Sequence, residues 1–261
     1  MKKVFNQAPL PFMGQKRRFA NEFKVALRGF GDKTVFVDLF GGSGLLSHIT
    51  KSIRPDATVI YNDYDGYHKR IENIPRTNSL ISSIQAFTCN SPKGKIIKEP
   101  YRAAILDLIS QESRTGFVDY ITLSSSLLFS MNYATSFEQL SKQSFYNTIR
   151  QGNYNADGYL EGIEIVKKDY TELFQHWKHH PNVVFLVDPP YLSTEVGSYS
   201  CYWRLANYLD VLLTVRGTSY FYFTSNKSSI LELCEWIETN LGTENPFKGA
   251  TKKEIFSSIG T

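Results

Sequence analysis

A hydrophobic run that ends in Asp188-Pro189-Pro190-Tyr191 places a carboxylate, two rigid prolines and an aromatic ring within four residues. A proline pair can neither continue a parallel ladder nor open an ordinary helical turn without fixing the backbone. The Pro189 carbonyl is therefore held in place and left free to accept. With the Asp188 carboxylate it makes two acceptors directed at one spot, beside the face of Tyr191. An exocyclic amine on a planar base matches that set, with two N–H donors and a ring to stack. Its nitrogen is a poor nucleophile because the lone pair is delocalised into the ring. Acceptors that draw its hydrogens toward tetrahedral geometry localise that pair for attack on an electrophilic methyl group.

Two other hydrophobic runs also end in chemistry. "TVFVDLF" (34–40) reads as a strand buried on both faces and runs into "GGSG", then into a helical stretch, "LLSHITKSI". The glycine turn lets backbone approach a ligand closely, and the helix start behind it offers unpaired N–H groups. Gly42-Ser43-Gly44 continues as Leu-Leu-Ser, which breaks the G-x-G-x-x-G spacing of a dinucleotide site, and no P-loop ending follows. A cofactor without a pyrophosphate fits better. "ATVIYND" (57–63) is a second strand; its Asp63 could accept from two ribose hydroxyls or cap the helix expected in "DGYHKRIENI".

Further strands are expected in "IEIVKKDY" (163–170), "NVVFLVD" (182–188) and "TSYFYFTSN" (218–226), with helices over about 202–216 and 228–240. Such alternation predicts a doubly wound, mostly parallel α/β sheet with ligands beyond the carboxyl ends of its strands, so the three strand ends should open onto one crevice. Between them, residues 76–162 are polar and Ser/Asn/Gln-rich and read as an inserted, mainly helical module, with helical patterns at 101–111 and 117–131. Asp157-Gly158 between tyrosine-bearing arms is a hairpin signal. Residues 1–75 and 163–261 form the other domain.

A chain of 261 residues with 42% hydrophobic and 21% charged residues can bury a substantial core, and a net charge of +4 suits an anionic partner without demanding one. Three cysteines without paired spacing indicate neither a disulfide framework nor a zinc site, which implies a reducing, cytoplasmic setting. No run approaches a membrane span.

"DPPY", preceded by "FVDLFGGSG" and by "PFMGQKRRF" (11–19), resembles the Dam-like, D12 class of DNA adenine-N6 methyltransferases, motif order included. The resemblance covers roughly residues 9–65 and 163–261. It implies a Rossmann-like methyltransferase fold that uses S-adenosylmethionine, double-stranded DNA as partner, and residues 76–162 as the target-recognition module. It further implies a bacterial or phage origin and a monomer that a cognate restriction endonuclease could accompany.

Position by position, Phe12 stands at a family tryptophan and Lys16 at its lysine, both lining the cofactor pocket, while Gln15 replaces a glycine. Asp38, Phe40, Gly42, Ser43 and Gly44 fall on the glycine motif, beside the methionine part of the cofactor. Asp63, with Tyr64 beside it, falls on the ribose-binding acid, and Asp169 and Tyr170 on an acidic-aromatic pair near the adenine. Asp188, Pro189, Pro190 and Tyr191 are the catalytic tetrad, and Asp188 also borders the cofactor. No metal is expected: "HWKHH" (176–180) precedes Pro181 and reads as a charge cluster at a helix end. "FTSN" (223–226) resembles the family's next strand end, and "SSIGT" (257–261) a stretch that precedes a last strand, so a shortened chain or a further tail is expected.

The family's recognition motifs are not matched, so no target sequence transfers. Asn132, Tyr133, Arg150, Asn153 and Tyr154 are the candidates for base or phosphate contact. The basic runs "QKRRF" (15–19) and "KGKIIK" (93–98) could bind phosphates or be solvated faces. A cytosine-N4 methyltransferase shares the amine logic. An inactive, cofactor-retaining DNA-binding homologue and a nicotinamide dehydrogenase are the remaining alternatives.

Overall fold

The computed structural model describes residues 4–88, 91–129, 132–190, 203–224 and 229–255. Tyr191, Cys89, Cys201, Ser225, Asn226 and the "SSIGT" end lie outside these residues. Five strands, β1 (Val35–Asp38), β2 (Thr58–Asn62), β3 (Glu164–Val166), β4 (Val183–Val187) and β5 (Tyr220–Tyr222), form one sheet in the order β3-β2-β1-β4-β5. All four pairings are parallel. The fold is therefore α/β and Rossmann-like, as expected, with the order reversing between β1 and β4.

Alternation along the strands decides what each face covers. Phe36, Val59, Tyr61, Val184 and Leu186 point into a core built with Phe23 and Leu27 of α1 (Ala20–Leu27) and with α2 (Leu45–Ile53), whose residues Leu45 to Thr50 are all buried. Val35, Val37, Ile60, Phe185 and Val187 point the other way. They meet Leu173 and Phe174 of α8 (Tyr170–Trp177) and Val211 and Val215 of α9 (Leu205–Val215). Helix α10 (Ile230–Leu241) packs beside β5 and α9 through Ile230 and Cys234.

The segment between β2 and β3 is helical: α3 (Tyr67–Glu72), α4 (Ile74–Thr88), α5 (Tyr101–Thr115), α6 (Tyr120–Leu127) and α7 (Phe137–Ser141). Its buried residues Leu80, Ile84, Ile105, Leu123 and Phe145 belong to the same core that covers the α2 face of the sheet. Two expectations are corrected. The helix read over 65–74 ends at Glu72, and α4, which the sequence did not signal, begins at Ile74; Pro75 sits in its first turn, where a missing N–H costs nothing. No hairpin forms around Asp157-Gly158. A tight turn closes there through Tyr159 N to Ala156 O, and Tyr154 takes both its backbone bonds from the Asn78 side chain instead of a partner strand.

One buried ion pair ties three segments together. Arg70 of α3 donates from Nε to Asp119 Oδ2 at 2.9 Å and from Nη2 to the Pro11 carbonyl at 2.8 Å. Asp119 caps α6 through Thr122 N. Arg70→Ala leaves the Asp119 carboxylate buried without its charge partner, so urea denaturation should show a loss of about 3–5 kcal/mol. A loss under about 1 kcal/mol, the range of exposed pairs, would show that the pair is in effect solvated.

Candidate active site

The crevice at the reversal of strand order is framed by two acids. Leu39 N donates to Leu186 O at 3.0 Å across β1 and β4, which brings Asp38, the last residue of β1, beside Asp188, the first residue after β4. Asp38 is fully buried; its Oδ2 accepts from Ser47 Oγ at 2.7 Å, and its Oδ1 has no hydrogen-bond partner among the described residues. Asp188 Oδ2 lies 2.6 Å from the Lys16 ammonium, which also donates to Gly14 O at 2.7 Å. Asp188 Oδ1 is buried and equally unpartnered among the described residues.

Lys16 thus pairs with Asp188, and Asp38 stands beside that pair with Ser47 as its side-chain partner. Burial pushes the Asp38 carboxyl up to about 7; the neighbouring Asp188 charge adds to the rise, while Ser47, the Phe40 backbone and Lys16 oppose it. Burial also raises Asp188, against the pull of Lys16. Two unspent carboxylate oxygens, one on a carboxyl whose ionised form burial disfavours, suit a ligand carrying positive charge.

The glycine turn forms the floor. A Cβ on Gly41 would stand 2.2 Å from the Tyr61 ring, so only glycine lets this turn lie on β2. Gly42 and Gly44 take φ of +51° and +71°, and the Phe12 ring covers Gly42. The Tyr61 hydroxyl lies 2.8 Å from Gly42 O and 2.9 Å from Asp63 Oδ1, and Tyr159 OH donates to Ser43 O at 3.0 Å. Asp63 closes the start of α3: its Oδ1 accepts from Tyr67 N and its Oδ2 from His68 N.

On the far side, the rings of Phe40, Tyr170 and Trp203 form one cluster, with centroids 4.9–6.1 Å apart. Trp203 was not anticipated, because its ring arrives from the chain preceding α9 and no local pattern ties it to β1. Asp169 is exposed and caps α8 through Thr171 N. Tyr64 is 53% exposed, with the Lys167 ammonium 5.8 Å from its ring centre. Asn62, also unanticipated, joins three loops: its amide donates to Leu39 O and Lys168 O and accepts from Lys168 N.

The candidate DNA contacts lie in the segment between α6 and β3. Asn132, Arg150 and Asn153 are exposed and Tyr133 is half-buried. Tyr154 is buried, with the Arg150 guanidinium 4.5 Å from its ring centre, so its ring belongs to the core. His176 and His180 lean on the Trp177 ring, and the described residues contain no group of three metal-ligating side chains. Among those residues no helix is long and apolar enough to cross a membrane.

Comparison with known proteins agrees with the geometry. The family model of D12 class N6 adenine-specific DNA methyltransferases matches residues 12–210. A Haemophilus influenzae protein named "Putative methyltransferase" is 38% identical over 247 residues, spanning 91% of this chain and 82% of that protein.

The Asp38 carboxyl gives the site a signature in stability. Its folded value, about 7, lies above the ordinary 3.8, so between those values the native state keeps a proton that the unfolded chain has lost. The stability this group contributes is complete below pH 3.8 and lost as pH rises through about 7. Asp38→Asn should therefore match wild type near pH 4 and exceed it near pH 8, by at most about 4 kcal/mol at 1.36 kcal/mol per unit. Denaturation at the two pH values checks this; a pH-independent difference would place Asp38 in contact with water.

Proposed function

The chain belongs to the D12 class of N6 adenine-specific DNA methyltransferases, and we propose that it transfers a methyl group from S-adenosylmethionine to the N6 amine of an adenine turned out of duplex DNA. The observation that carries this reading is the Asp188 carboxylate, fixed by Lys16 through one oxygen with the other unspent beside the buried Asp38. Site-specific methylation is what a target-recognition module over 76–162 would add.

The cofactor, when bound, supplies an electrophilic methyl group on a sulfonium. The residues present fit it. Asp38 Oδ1 would accept from the α-ammonium, the turn from Gly42 to Gly44 would receive the methionine part, and Asp63 would meet the ribose. Phe40, Tyr170 and Trp203 offer aromatic surface for the adenine ring.

On the substrate side, Lys16 keeps Asp188 Oδ2 occupied, so Oδ1 and the Pro189 carbonyl are the acceptors left for the two N6 hydrogens. Those bonds localise the nitrogen lone pair for in-line attack. The amine loses one proton in the substitution, and a carboxylate whose basicity burial has raised is suited to take it. Tyr191 is assigned the stacking face. Turning the base out costs least at mismatched or unpaired positions, so those should be methylated fastest.

Two outcomes test the reading. Incubation of purified protein with labelled S-adenosylmethionine and genomic DNA, followed by nucleoside mass spectrometry, should yield N6-methyladenine; N4-methylcytosine would move the substrate to cytosine, and no product would favour an inactive homologue. Asp188→Ala should abolish transfer while cofactor binding stays measurable by calorimetry, and an undiminished rate in that variant sinks the assignment. Asp38 adds a pH dependence. A cationic ligand favours its ionised form, so cofactor affinity should rise as pH increases through about 7 and lose that dependence in Asp38→Asn.

A further inference from the structure

The basic run 93–98 has a defined shape. Lys95 N donates to Pro92 O at 3.2 Å across a turn with Gly94 at φ +75°, the left-handed position that a type II turn reserves for glycine. The turn is pinned to the segment after α7 by Gly94 N to Asn147 O, Asn147 N to Lys95 O and Ile97 N to Phe145 O, each 2.8 Å. The Asn147 side chain adds a bond to Ser91 O at 2.7 Å. Ile97 and Phe145 are buried beneath, while Lys93, Lys95 and Lys98 are exposed on a backbone that is held.

None of these three ammonium groups has an ion-pair partner among the described residues. Glu99, next to Lys98 in the chain, is paired with Arg102. Between the lysines stands apolar surface. The isolated antiparallel bridge sets Ile96 opposite Tyr146, and the Phe129 ring leans on Tyr146 at 5.7 Å. Ile96 is 52% exposed and Phe129 is 64% exposed. A merely solvated charge run needs neither a pinned turn nor an exposed ring beside it; an anionic polymer with planar faces uses both.

We infer that this ridge of the helical module is a DNA contact surface, with Lys93, Lys95 and Lys98 on backbone phosphates and the Phe129 ring against the base faces of an opened step. The inference rests on the proposed DNA reaction and adds to it the surface that grips the duplex. It decides the choice that the sequence left open for the run 93–98, phosphate contact or solvated face, and adds Phe129, which the sequence did not single out.

The test is fluorescence anisotropy with a labelled mixed-sequence duplex, across roughly 50–200 mM salt. Replacing all three lysines by alanine should lower the magnitude of the log–log salt slope by roughly 2–3, since each phosphate contact contributes about 0.9. Lys252→Ala with Lys253→Ala, which removes two lysines paired to Glu254 and Glu22, should leave the slope unchanged. Phe129→Ala should weaken binding by about 5- to 100-fold at an unaltered slope, as loss of one stacked base does. All variants should keep the thermal shift produced by S-adenosylhomocysteine, which reports an intact fold and cofactor pocket.

A triple variant with the wild-type slope, or a control pair that changes the slope as much, overturns the inference while leaving the proposed function standing. Wild-type protein that neither binds the duplex nor methylates DNA overturns both.

Discussion

Two neighbouring carboxylates, one buried and one held by an ammonium, set the terms for the rest of this molecule. Asp38 ends β1 and Asp188 follows β4, so the sheet alone would leave two acids side by side. Relief comes from Lys16, which belongs to no strand or helix of the sheet. The segment that carries Lys16 must therefore be fixed without a ladder of its own, and each of its polar groups needs a partner from elsewhere. Phe5 N donates to His48, Ala8 N to Gln15, and Leu10 N to the Tyr67 hydroxyl, which donates back to Leu10 O. Pro11 O accepts from Arg70 and Gly14 O from Lys16 itself. A glycine turn, two helices and a buried arginine are thus arranged to hold one lysine against one aspartate.

His48 shows how closely the remaining parts are joined. Its Nδ1 lies 2.6 Å from Tyr159 O and its Nε2 accepts from Phe5 N, which fixes a neutral ring protonated at Nδ1. Burial lowers its pKa, consistent with that assignment. The Tyr159 ring stacks on the imidazole while its hydroxyl reaches Ser43 O in the glycine turn. The chain leaving the helical module is in this way fastened to the same turn that the N-terminal segment covers with Phe12. Any ligand seated on that turn is in contact with groups answering to both.

How much of this the sequence carried depends on whether the signal was local. Strand ends, the glycine turn and the helix behind it were readable because apolar runs, turn residues and periodicity are written in consecutive residues; α2 spans the nine residues its pattern marks. Helix α4 was not, since "IPRTNSLISSIQAFT" is polar over much of its length and Pro75 reads as a breaker, although the first helical turn tolerates it. The hairpin expected at Asp157-Gly158 failed for the opposite reason. Its turn chemistry is present, but Tyr154 and Tyr159 lie in the core and their partners are Asn78 and Ser43, from distant parts of the chain. Gln15, a departure from the family's glycine, fills the turn by accepting from Ala8 N, a contact no spacing rule reveals.

Asp63 could cap a helix or meet a ribose, and the geometry shows the cap. The carboxylate closes the start of α3 through Tyr67 N and His68 N while Tyr61 OH approaches the same Oδ1. An ionised carboxylate has about four lone-pair directions, and these contacts use three. The remaining acceptor lies on Oδ2, on a group whose orientation two backbone amides have already fixed. A cap of this kind removes the rotational freedom that a free aspartate would surrender on binding a hydroxyl, so the proposed ribose contact would meet a carboxylate already oriented.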